Sequence, residues 1–82
     1  PRLEGAARHA AQKEANRIER RVEKLRVQCT QVEERLAQLG AAVARDSGAI
    51  EELEKVSVEH SALIAQIDEL EEAWLQAAEL LD

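Results

Sequence analysis

Two series of apolar residues, each stepping by four and three along the chain without a skip, leave this sequence little choice of architecture. The first is Ala11, Ala15, Ile18, Val22, Leu25, Cys29, Val32, Leu36, Leu39 and Val43; the second is Leu53, Val56, His60, Leu63, Ile67, Leu70, Trp74, Ala77 and Leu81. That spacing puts one stripe of side chains along an α-helix and asks for a partner helix to cover it. A single break separates the two, at Ala44-Arg45-Asp46-Ser47-Gly48-Ala49, where Asp, Ser and Gly bring turn and N-capping chemistry. The pattern therefore predicts an all-α fold, a two-helix antiparallel coiled-coil hairpin. Its first helix runs from about residue 10 to 44, its turn over about 45–48 and its second helix over about 49–81, with residues 1–9 a linker or frayed helix start.

Composition agrees with a narrow rod. The apolar residues, 45% of the chain, are almost all Ala, Leu, Val and Ile; Trp74 is the lone aromatic, and 34% of residues are charged. That mixture belongs to long helices. The helix breakers are confined to Pro1, Gly5, Gly40 and Gly48, with Gly40 placed where it would bend or fray the end of the first helix. A chain of 82 residues is too short for a broad globular core. The start at Pro1 in place of methionine points to an excised part of a longer protein or a processed product.

The two series also predict how the arms meet. With Val43 beside Ala49, successive layers pair Leu39 with Leu53, Leu36 with Val56, Val32 with His60, Cys29 with Leu63 and Leu25 with Ile67. The ladder then continues through Val22 with Leu70, Ile18 with Trp74, Ala15 with Ala77 and Ala11 with Leu81, leaving no orphan. A register one heptad further on, with Val32 against Ile67, enlarges the turn and leaves Ala11 and Ala15 unpaired. Charge favours the same union, because residues 1–45 and 46–82 carry net charges of +4 and −10, which make up the whole chain's −6. Opposite signs select one arm as partner of the other and disfavour acidic arm on acidic arm.

No catalytic motif is present: there is no Gly-rich phosphate loop, no HExxH and no nucleophile elbow, so the expected role is binding or scaffolding and no catalytic residue is assigned. No metal site is assigned either, because His9 and His60 are far apart in the hairpin and neither has an inward-facing ligand at helical spacing. His60 reads as a seam residue that sets register, with a pH switch as the sharper alternative. Cys29 reads as a small buried hydrophobe more readily than as a reactive thiol. Trp74 either closes the core at the open end of the hairpin or docks on a neighbouring domain. A single cysteine fits a reduced, cytoplasmic setting, and the sequence holds neither a membrane span nor a signal peptide.

The most suggestive charged feature is a basic stripe on the outward side of the first helix: Lys13, Arg17, Arg20, Arg21 and Lys24, at three- and four-residue steps. Such a stripe suits a phosphate backbone, although Glu14, Glu19 and Glu23 interrupt it and no aromatic residue is free to stack on bases. The plainer reading is a solvated face laced with local ion pairs. Val27, Ile50, Val58, Ile64 and Leu75 fall outside the seam, exposed in a lone hairpin but buried if two hairpins join.

Lys13-Glu14, Arg17-Ile18-Glu19-Arg20-Arg21 and Glu23-Lys24-Leu25, followed by Glu69-Leu70-Glu71-Glu72-Ala73-Trp74-Leu75-Gln76-Ala77-Ala78-Glu79, resemble the opening and closing segments of the C-terminal coiled-coil domain of ABC-F ATPases. The likeness covers roughly residues 10–81 and is nearest to the appended domain of the Uup-type branch. It implies an accessory domain carried after two ATPase cassettes, in proteins that act on the ribosome or associate with DNA. It further implies ribosomal RNA, tRNA or DNA and the protein's own cassettes as partners. On this likeness Lys13, Arg17, Arg20, Arg21 and Lys24 would contact phosphates. ATP and Mg would belong to the parent protein, with no cofactor in this chain and a monomer or weak dimer as its state.

Overall fold

The structure, a computed structural model, describes residues 4–81. It is a two-helix antiparallel hairpin: α1 spans Gly5–Ala42 and α2 spans Gly48–Leu81, packed against each other. The molecule measures 62 × 16 × 14 Å with a radius of gyration of 18.4 Å. A compact ball of this chain length would have a radius of gyration of about 12 Å. Every core residue therefore lies in one seam, and no second layer shields it.

The two apolar series are that seam. Each of their members is buried or half-buried, and the buried ones are Ala15, Ile18, Leu25, Cys29, Leu39, Val56, Leu63, Ile67 and Ala77, joined by Ala49 at the turn. Leu25, Cys29, Leu63 and Ile67 pack as one cluster with Val22, Val32 and Leu70 around them. Leu39, Ala49 and Val56 form another near the turn, backed by Val32, Leu36, Ala42, Val43 and Leu53. These groupings match the ladder that sets Cys29 against Leu63 and Leu25 against Ile67. The register one heptad further on would have put Leu70 at the centre of the first cluster.

The helix ends differ from expectation by a few residues. α1 starts at Gly5, earlier than about residue 10, and residues 5–10 are exposed. Local propensity extends the helix there, since Ala6, Ala7, Arg8 and Ala10 favour it without packing; Arg8 N–H already donates to the Glu4 carbonyl at 2.8 Å. Residues 1–3 of the expected linker lie outside the described residues. Toward the turn, α1 runs straight through Gly40 to Ala42.

The turn then satisfies its own backbone. The Ala42 carbonyl accepts from Arg45 N–H at 3.1 Å and Asp46 N–H at 3.0 Å. Asp46 opens α2: its side-chain Oδ1 accepts Gly48 N–H at 2.9 Å, and its carbonyl accepts Ala49 N–H at 3.1 Å. Helix N-termini leave N–H groups without helical partners, which is the need Asp46 meets. Gly48 lets that carboxylate come close, since a Cβ there would stand 3.2 Å from Asp46 Oδ1.

Two consequences are measurable by urea unfolding followed by circular dichroism. Leu25, 1% exposed, should cost about 2–5 kcal/mol on Leu25→Ala, whereas Val58→Ala, at a position 71% exposed, should stay within about 0.5 kcal/mol of the parent. Asp46→Ala should cost about 1 kcal/mol through the lost cap. Equal losses at Leu25 and Val58 would contradict a single narrow seam.

Candidate functional site

All five residues of the basic stripe are exposed on α1, between Lys13 and Lys24. At 1.5 Å per residue they cover about 17 Å of helix. They occupy the outer heptad positions and the flank away from Trp74, whereas Glu19 and Glu23 border Arg20 and Lys24 on the Trp74 side. The interruption by Glu19 and Glu23 seen in the sequence thus becomes a lateral separation on the folded helix, whereas Glu14 pairs with Arg17 within the stripe.

The acids do not neutralise the stripe. Glu14 holds Arg17 through two bonds, Arg17 Nη2 to Oε1 at 2.6 Å and Nε to Oε2 at 3.0 Å. That bonding keeps the Glu14 carboxyl below its ordinary range and raises the Arg17 guanidinium. Among the described residues, Lys13, Arg20, Arg21 and Lys24 have no carboxylate within ion-pair distance. Arg21 lines a shallow groove with Leu25, Gln66, Glu69 and Leu70, so the acidic helix approaches the stripe at that one edge. The Arg and Glu that do pair across the hairpin are Arg26 and Glu71, at 2.8 Å.

A second group of polar residues crosses the seam on the opposite flank. Cys29 and Glu33 sit one helical turn apart on α1, and Glu33 Oε2 accepts the Cys29 thiol at 3.8 Å. The same oxygen lies 3.1 Å from His60 Nε2 on α2. Burial, with the Glu33 charge second, raises the Cys29 thiol above its ordinary value and disfavours a thiolate. This agrees with a seam hydrophobe and not with a nucleophile. Helical spacing within one chain segment gives His60 no partner; its partners come from the facing helix. The ladder sets Val32 against His60 and so places Glu33 next to that layer, but spacing along the chain carries no sign that its side chain reaches across.

Trp74 lies toward the open end, two layers in from it. It is half-buried in the layer of Ile18, and its indole N–H donates to Glu19 Oε1 at 2.8 Å. Beside it lies an open, mainly apolar groove of about 480 Å³ lined by Ile18, Val22, Trp74 and Leu75 and flanked by Glu19, Glu23 and Glu71. Among the described residues the large apolar side chains left exposed are Val27, Ile50, Val58, Ile64, Leu75 and Leu80. Among the described residues no helix is long and apolar enough to cross a membrane.

Comparison with known proteins finds no matching family model, and no curated protein or solved structure matches the chain.

The Glu14–Arg17 pair has a defined pH response. Because the folded carboxyl titrates below its ordinary value of 4.5, whatever stabilisation the pair adds is present above that value and is lost as pH falls through the lowered one. Carboxyl-carbon NMR of the folded chain should give Glu14 a midpoint below the ordinary value, and Arg17→Gln should return it there. An unchanged midpoint in the variant would exclude Arg17 as the cause.

Proposed function

We propose that this hairpin is a non-catalytic accessory arm that positions a larger protein on the ribosome or another nucleic acid through the basic outer face of α1. That is the role the C-terminal coiled-coil domain of an ABC-F ATPase would serve. The observation that carries this reading is the exposed, outward set of Lys13, Arg20, Arg21 and Lys24, free of carboxylate partners among the described residues. Cations at regular steps along a rigid rod meet what phosphate contacts require, namely charge at intervals with little shape demand. Arg17 joins them once phosphate displaces Glu14. The chain's −6 net charge and its acidic α2 hold the affinity low and keep contact to one face. In a parent protein, ATP and Mg would serve the cassettes, while this arm would supply reach and orientation.

A second reading, a protein-interaction or oligomerisation coiled coil, has its own support. Ile50, Ile64 and Leu75 lie on one flank of α2, between 40% and 51% exposed. A second hairpin packed on that flank would bury them in a four-helix bundle.

Sedimentation equilibrium of the chain over a wide concentration range, with and without a short RNA duplex, separates the two. A monomer that binds duplex at low salt, with a log–log salt slope of about −3 to −4 for about four phosphate contacts, supports the first reading. Reversing Arg17, Arg20 and Arg21 to Glu should then abolish binding while leaving the helical content intact. A stable dimer indifferent to RNA would overturn it in favour of the second.

A further inference from the structure

We propose that Cys29, Glu33 and His60 form a binding site for a zinc-class divalent transition metal that clips α1 to α2. One donor atom from each, Cys29 Sγ, a Glu33 carboxylate oxygen and a His60 ring nitrogen, lies within 4.8 Å of the other two. Two of these separations are known individually: Sγ to Oε2 at 3.8 Å and Nε2 to Oε2 at 3.1 Å. A tetrahedral ion with bonds of about 2.0–2.3 Å holds its donors about 3.3–3.6 Å apart. Two of the three separations are therefore close to the spacing an ion requires, and the third, Cys29 Sγ to the His60 ring nitrogen, lies within 4.8 Å and closes by rotation of the His60 side chain.

The donor types agree with that assignment. One thiolate, one imidazole and one carboxylate suit zinc and cobalt, and disfavour calcium and magnesium, which take oxygen ligands. Cys29 and Glu33 also line an open groove with Thr30, Ile64 and Asp68, which leaves room for a water as the fourth ligand. On binding, the Cys29 Sγ–H bond breaks heterolytically, its proton passes to solvent and the sulfur electron pair goes to the metal, with no change of oxidation state. Because the ligands come from both helices, binding links the facing arms in the register that sets Val32 against His60. The hydrogen-bonded triad is competent as a seam contact without metal, so the ion adds a clamp and is not a condition for folding. This site lies on the flank opposite the basic stripe and is independent of the phosphate-binding proposal.

The test uses the full chain, stripped of metal by a chelator and kept reduced by a phosphine, titrated with cobalt(II) and zinc(II) chlorides. Expected are one metal per chain, a thiolate-to-cobalt charge-transfer band with the visible bands of a tetrahedral ion, displacement of cobalt by zinc, and a rise in Tm of about 5 °C or more at saturating zinc. Glu33→Gln and His60→Gln should each weaken binding at least about tenfold, Cys29→Ala should abolish the charge-transfer band, and His9→Gln should change nothing. Glu33 is exposed, so Glu33→Gln carries the test even if Cys29→Ala fails to fold. Absence of both the band and the Tm rise would overturn the proposal. So would unchanged affinity in Glu33→Gln and His60→Gln, or a stoichiometry of one metal per two chains.

Discussion

The apolar contact between α1 and α2 is the one interaction on which the rest of this hairpin depends, and its centre is the packing of Leu25 and Cys29 against Leu63 and Ile67. Two helices share one interface, so no residue outside the seam can replace a layer that is lost. Both helices lean on this contact, because most helical stability in proteins comes from packing of the apolar face. The turn serves the same contact. Asp46 caps α2 and the Ala42 carbonyl collects two N–H groups, so the chain reverses within five residues on hydrogen bonds of its own.

Charge acts at a different level from packing. The arms are opposite in sign, yet among the described residues the lysine and arginine side chains make only the Arg26–Glu71 pair across the interface, and both partners are about half exposed. Such a pair contributes about 0–1 kcal/mol. The imbalance between the arms therefore selects a partner more than it holds the arms together. Its second effect is geometric: most cations of α1 face outward, where the acidic α2 cannot reach them, and the rod carries a basic outer face despite a net charge of −6.

Among the polar contacts between the helices, one joins seam residues of both arms. Glu33 Oε2 accepts from Cys29 and meets His60 from the facing helix, so a coiled coil that could otherwise slide by a heptad has a contact made only in one register. Polar residues at seam positions are a known means of fixing register at some cost in stability. His60 is half-buried and Glu33 exposed, which keeps that cost low.

The sequence by itself determined the two helices, the turn between them, the seam residues and their layer pairing. All of these follow from a one-dimensional rule: an apolar step of three and four residues, a single break carrying Asp46 and Gly48, and a ladder that leaves no orphan. The helix starts were less legible, because the pattern marks where a helix needs a partner and residues 5–10 are helical without one. What lies beside the seam was beyond that rule. Whether Glu19 meets Trp74, Arg26 meets Glu71, or Glu33 joins Cys29 and His60 depends on side chains reaching across from flanking positions. Only the tertiary structure decided those contacts, because each is a distance between atoms on different helices and periodicity along one helix carries no information about it.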